Sequence, residues 1–303
     1  MSSNKFSGVL APVITPFKDD LTPDAQLLSK HCHWMLSQGA GLAVFGTNSE
    51  ANSLNINEKM ELLNELVDSA IDPARLMPGT GACALTDAAK LTAHATSLGC
   101  GGVLMLLPFY YKGVSDDGLF GFYSEVIQRV GNPNLRIYLY HIPPVAQVGI
   151  SLNLIERLCK DYPEIVVGIK DSSGDWGHTQ QLNELDIDDF RVFCGSESFL
   201  LRNMRAGGAG CISATANVNP AAIHELYLSW ESADAEHKQA QLDQIREIFQ
   251  SYPMIPALKA ATGIFSSEPA WHRVRPPLLA LSDQELANLQ QELQTAKFQM
   301  PDL

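Results

Sequence analysis

The sequence lacks any CxxC pair; its six cysteines (Cys32, Cys83, Cys100, Cys159, Cys194 and Cys211) lie far apart along 303 residues. That spacing excludes a zinc ribbon or a dithiol redox motif, and in a chain of this length without a visible leader the thiols read as reduced and mostly buried. Basic residues are scarce: 21 Lys and Arg stand against 34 Asp and Glu, for a formal net charge of -13. A nucleic-acid or anionic-membrane partner needs a basic face, so neither is expected. No apolar run approaches the ~20 residues of a membrane helix. The opening MSSNKFSGVL has no basic-then-apolar leader, which predicts a cytoplasmic protein. Histidines are dispersed, and His31 and His33, two apart, fall on different helix faces. No metal site is predicted. P-loop, G-x-S-x-G and H-E-x-x-H patterns are also missing.

What the chain does have is alternation. Hydrophobic residues make up 46% of it, enough for a large core. Strand-like apolar runs recur at 8–14, 41–45, 75–79, 101–106, 136–140, 165–169, 190–194 and 210–214. Amphipathic stretches lie between them. Thr22–Pro23–Asp24 precedes AQLLSKHCHWML, Asn55 to Asn57 with Glu58 open a second helix, Thr86–Asp87 a third, and Ser151 another. Strands alternating with helices define parallel βαβ units. Eight of them select the closed (β/α)8 TIM barrel over an open doubly wound sheet. Residues 1–220 are expected to form the barrel. Residues 221–303 would supply its last helix and a helical appendage, from Asn219–Pro220 to about Gln250 and then near 254–265 and 283–297.

In such a barrel, chemistry sits on the loops after the strands. The sixth run, IVVGI, ends on Lys170. A greasy strand ending on lysine has a plain explanation, an ammonium that snorkels to water at the rim. The alternative is an amine held neutral as a nucleophile, which requires a low-dielectric site because a lysine's reference pKa is about 10.4. Period-two alternation puts Val166, Gly168 and Lys170 on one face, and Gly168 is expected to leave room for the lysine side chain. Tyr140 ends the neighbouring fifth run, RIYLY, where a phenol can shuttle protons. It can equally be a core plug, with Tyr138 as its rival. GTNSE (Gly46 to Glu50) follows the second run and suits a carboxylate, although such clusters are also ordinary turn chemistry. PFYY, carrying Tyr110 and Tyr111, follows the fourth run. GTGACA (Gly79 to Ala84) matches G-x-G-x-x-A, but the next strand ends MLLPF without the acid that a dinucleotide needs, so no such cofactor is expected.

Taken together, GVLAPVITPF, GTNSE, PGTG, PFYY, YHIPP, GIKDSSGD and SATANV resemble the dihydrodipicolinate synthase / N-acetylneuraminate lyase family of Schiff-base, pyruvate-handling aldolases, over nearly the whole chain. The resemblance implies that Lys170 forms an imine with pyruvate or another 2-oxo acid. It makes Tyr140 the proton shuttle, in a relay with Thr47 and Tyr110, and implies no cofactor. Tyr110 would reach in from a neighbouring subunit of a homo-oligomer, usually a tetramer of paired dimers. Thr47 and Asn48 would grip the pyruvate carboxylate, and Ile212 would pack over the imine. The departures are Val145 where dihydrodipicolinate synthases carry an arginine, His141 for asparagine, Asn48 for threonine and Ser49 for glycine. Without that fixed cation, Ser172, Ser173, Ser196 and Glu197 suggest a hydroxylated chain. A keto-deoxy sugar acid or 4-hydroxy-2-oxo acid is then the expected substrate of a lyase. A dihydrodipicolinate synthase, a sugar-acid dehydratase and a non-catalytic 2-oxo-acid sensor are the alternatives.

Overall fold

A computed structural model describes residues 5–303, so the expected barrel span beginning at residue 1 falls partly outside it. Seven parallel strands form one sheet: β1 (Gly8–Ala11), β2 (Gly41–Leu42), β3 (Val103–Leu106), β4 (Ile137–His141), β5 (Val166–Asp171), β6 (Arg191–Cys194) and β7 (Gly210–Ile212). Their order is β2-β1-β7-β6-β5-β4-β3, which leaves β2 and β3 as the two edges. The expected run at 75–79 joins those edges without becoming a regular strand. Met77 N–H donates to Leu42 O at 2.8 Å and Gly79 N–H to Val44 O at 2.7 Å. On the other side Leu104 N–H donates to Pro78 O at 2.9 Å and Thr80 N–H to Leu104 O at 3.1 Å. Pro78 has no N–H to give, which interrupts the ladder. Gly79 is required as well, because a Cβ there would lie 2.1 Å from Phe45 O. The barrel is closed, with an eighth stave made of bridges.

Helices follow the strands as the hydrophobic pattern requires, from Ala25–Ser37 after β1 to Pro220–Leu228 after β7. Asp24 caps the first, accepting Leu27 N–H at 3.0 Å, with Pro23 just outside the helix. Asn55 accepts from Asn57 and Glu58, and Glu58 returns a bond to the Asn55 amide at 2.9 Å, a reciprocal capping box. The third helix begins at Leu85, a residue before the expected Thr86–Asp87, without a side-chain cap. Apolar side chains form two layers. One fills the barrel (Leu10, Met77, Leu104, Tyr138, Phe193 and Ile212 among them), and the other lies between staves and helices. Beyond the last barrel helix come Ala235–Gln250, Met254–Ser266 and Asp283–Thr295. Among the described residues, no helix is long and apolar enough to cross a membrane.

The strand that carries Lys170 breaks the simple alternation. Ile137 pairs with Val166 but Tyr138 pairs with Gly168, so Val167 is an extra residue. Val166 therefore packs in the outer layer and Val167 in the inner one, contrary to strict period two, while Ile169 stays outside. Gly168 serves a different neighbour from the one expected. A Cβ on it would meet Arg191 O at 2.5 Å and the Tyr138 ring at 2.7 Å, so the glycine accommodates β6 and Tyr138 rather than Lys170.

Candidate active site

A cavity of about 520 Å³ opens at the C-terminal ends of the strands. Thr47 and Asn48 line it after β2, Tyr140 and Ile142 at the end of β4, and Lys170 to Ser172 at the end of β5. Ser196 and Ser198 follow β6, Ala214 follows β7, and Arg246, Gln250 and Met254 complete the wall from the C-terminal helices.

Lys170 and Tyr140 are register partners on β5 and β4. The lysine is 2% exposed, and its Nζ donates to Tyr140 Oη at 3.4 Å while lying 4.4 Å from the centre of the ring. A buried amine with one phenolic neighbour is not a snorkelling rim residue. Tyr140 Oη in turn lies 3.1 Å from Thr47 Oγ1. Tyr138, the rival, is the core plug: it is fully buried, accepts Phe6 N–H at 2.7 Å and stacks edge-on with Phe6 and Phe193.

The loop after β2 is held taut. Phe45 and Glu50 have left-handed φ values of 61° and 56° on either side of Thr47–Ser49, a conformation that non-glycine residues adopt at a cost. Ser49 Oγ accepts Gly46 N–H at 3.1 Å, and the amides of Ser49, Glu50 and Ala51 all bond within the loop. Glu50 anchors it from below through a buried ion pair with Lys259 of the helix Met254–Ser266. Burial pushes that ammonium down to about 8 against the pull of Glu50.

Several expected residues stand elsewhere. Glu197 is 1% exposed but turned beneath the cavity, where it accepts from Ser213 Oγ and Thr215 Oγ1 and from Arg246 Nη1 at 3.0 Å. His141 alternates outward from the barrel. Its Nδ1 accepts Ile150 N–H at 3.0 Å and its ring stacks on His178 at 4.4 Å, behind the cavity wall. Burial lowers its pKa to about 4, with His178 adding to the effect and Asp171 opposing it. Ile212 belongs to the barrel interior with Tyr140 and does not line the cavity. Ser173 binds Asp171. Val145 does reach the cavity mouth, 62% exposed. Tyr110 is 73% exposed, its ring meets that of Tyr111 edge-on, and it does not line its own chain's cavity.

Two groups went unread in the sequence. The first is a trio, His141, Asp171 and His178, whose ligand atoms lie within 4.8 Å of one another. Its donor atoms are engaged: Asp171 Oδ2 accepts from Thr179 Oγ1 at 2.6 Å and from His178 Nδ1 at 3.1 Å. Burial raises the Asp171 pKa, but the hydrogen bonds from His178, Thr179 and Ser173 outweigh it and hold the carboxyl below its ordinary range. The second is Arg246, on the helix Ala235–Gln250. Gln239, Leu242, Arg246 and Phe249 follow one another at intervals of three and four, so the arginine stands on the buried stripe of an amphipathic helix. A charge in that stripe was the available signal.

The closed parallel barrel thus carries a buried amine and a phenol facing each other across adjacent staves, at the end where barrel enzymes do their chemistry. The comparisons point to one family. Residues 5–296 match the Dihydrodipicolinate synthetase family, and the chain belongs to it. A DapA-like lyase of Chloroflexus aurantiacus is 31% identical over 285 residues, 93% of this chain and 94% of that protein. The dihydrodipicolinate synthase of Agrobacterium tumefaciens superposes with a TM-score of 0.87 at 33% identity, covering 95% of this chain and 99% of the other. YagE, a prophage protein of E. coli K12 solved in complex with pyruvate, gives a TM-score of 0.88 at 25% identity, over 97% and 99%.

Proposed function

We propose that the protein is a pyruvate-linked aldolase that acts through an imine on Lys170 and cleaves, or in reverse forms, a 4-hydroxy-2-oxo acid of the keto-deoxy sugar-acid type. The observation that carries this reading is the buried Lys170 amine, 3.4 Å from Tyr140 Oη at the barrel mouth. The lysine Nζ adds to the C2 ketone, and the carbinolamine loses water as Tyr140 moves protons between nitrogen and oxygen. The protonated imine then accepts the electron pair of the C3–C4 bond as the 4-hydroxyl gives up its proton. An aldehyde departs, the enamine is protonated at C3, and water releases pyruvate. The imine is the electron sink, so the mechanism calls on no other cofactor.

Thr47 orients the phenol, and Thr47 with Asn48 presents donors for the 2-oxo acid's carboxylate at the taut loop. The hydroxyls of Ser172 and Ser196 on the cavity wall support a hydroxylated substrate chain. Tyr110 joins the proton path only from a second copy of the chain, so the reading includes a homo-oligomer, a tetramer of paired dimers.

Treatment with pyruvate and borohydride tests this. A single reduced adduct on Lys170 is expected by peptide mass mapping, with formation slowed about 10²-fold or more in Tyr140→Phe. An unmodified Lys170 in the wild-type protein sinks the reading.

A further inference from the structure

A second pair of side chains backs the one at the barrel mouth. Tyr140 and Lys170 are register partners on β4 and β5, and so are the residues that follow them, His141 and Asp171. Consecutive side chains of a strand point to opposite faces, so His141 and Asp171 turn away from the phenol and the amine. The Asp171 side chain is fully buried. Its carboxylate accepts the Ser173 N–H at 3.0 Å, the Ser173 hydroxyl at 3.1 Å and Thr179 Oγ1 at 2.6 Å. His178, on the helix Trp176–Asn183, adds Nδ1 at 3.1 Å. Three neutral donors already serve the carboxylate, so what the histidine alone can bring is a positive charge. The bond to Asp171 raises the His178 pKa, the charges of Asp171 and Asp175 add to it, and burial opposes them. His141 is the neutral member of the stacked rings, because its Nδ1 accepts the Ile150 N–H and so carries no proton.

We propose that His178 is a positioning residue for the Lys170 chemistry: its imidazolium cancels the charge of Asp171, the carboxylate next to the nucleophile, and so lets the amine shed its proton. This rests on the reading of Lys170 as an imine-forming nucleophile and names what keeps it one. A bare buried carboxylate beside an amine stabilises the ammonium, which has no lone pair with which to attack a ketone. The other groups around the amine exert no such hold. Tyr140 faces it from β4, Phe193 is its register partner on β6, and burial holds the Cys194 and Cys211 thiols neutral. Glu197 is already paired with Arg246. Asp171 is thus the charge that has to be neutralised, and His178 is the cation bound to it.

The pH profile of the amine's own reactivity tests this without requiring turnover or pyruvate. Trace acetylation with acetic anhydride, followed by peptide mass mapping, reads the unprotonated fraction of Lys170. His178→Asn keeps a donor near Asp171 but no charge. In that variant the midpoint of the profile should rise by about one pH unit, and acetylation at pH 7 should slow about tenfold. The high-pH plateau should be kept. Adding Asp171→Asn should bring the midpoint back, because the uncompensated charge is then gone. His178→Gln makes the same prediction and decides the matter if the asparagine variant does not fold. An unmoved midpoint, a shift that survives Asp171→Asn, or a loss equal at every pH overturns the assignment, the last because it marks a merely structural contact. Trapping with pyruvate and borohydride on the wild-type protein is read separately. The expected shift without an adduct removes the imine but leaves His178 in its role, and an adduct without the shift does the reverse.

Discussion

His31 lies between Trp34 and Trp271, at ring-centre distances of 5.4 and 4.9 Å, and neither of its nitrogens has a partner among the described residues. Burial lowers its pKa to about 3. Together with His141 it makes stability depend on pH in a defined direction. Below about pH 6.5 an unfolded histidine takes up a proton that these folded ones refuse until pH 3 to 4, so stability held at neutral pH is lost as the pH falls. Each contributes a slope of at most ~1.4 kcal/mol per pH unit. In His31→Phe, urea titrations between pH 6.5 and 4.5 should show a dependence shallower by about that amount; an unchanged slope refutes the assignment. At this scale the sequence showed which residue types stand at the barrel mouth, and Lys170, Tyr140 and Thr47 do meet there. It did not show which way a rim side chain turns. Glu197 is drawn under the cavity by Ser213, Thr215 and Arg246, and His141 is held outside by Ile150 and His178, all of them contacts that only the tertiary fold creates.

Elements were legible where their period was clean. The strand and helix alternation is strong enough that the barrel follows from counting, yet the stave at 76–80 contains a proline and is seen only through its bridges. The extra residue Val167 was invisible, because a bulge depends on the partner strand's register and leaves no local mark. The helix Met254–Ser266 was read as an appendage, but it carries the lysine that anchors the loop after β2. Lys259 and Glu50 are both fully buried as side chains, and Arg275 adds a backbone N–H to Glu50 Oε2 at 2.9 Å. Lys259→Met therefore strands a buried carboxylate and should destabilise the fold by about 3–5 kcal/mol in urea titrations. Adding Glu50→Gln should recover part of that loss. A deficit below ~1 kcal/mol for the single variant would show that the pair does not fasten the loop.

For the whole molecule, what one chain leaves exposed is informative. Tyr110 and Tyr111 are 73% and 69% exposed, and large aromatics presented side by side mark a contact surface more often than a solvated one. Light scattering should find an oligomer at micromolar concentration, and Tyr110→Ser with Tyr111→Ser should shift it towards smaller species. A wild-type monomer removes the shared proton path. Composition gave the overall charge and argued against a nucleic-acid or anionic-membrane partner, but it could not foresee that a helix past residue 234 supplies part of the cavity wall.

That late contribution has a consequence for synthesis. Residues 246, 250 and 254 leave the ribosome after every stave has been made, so the chamber gains this wall only when synthesis is nearly complete. The Lys259–Glu50 pair forms later still, so the loop after β2 is fastened only when the chain's last third has been made.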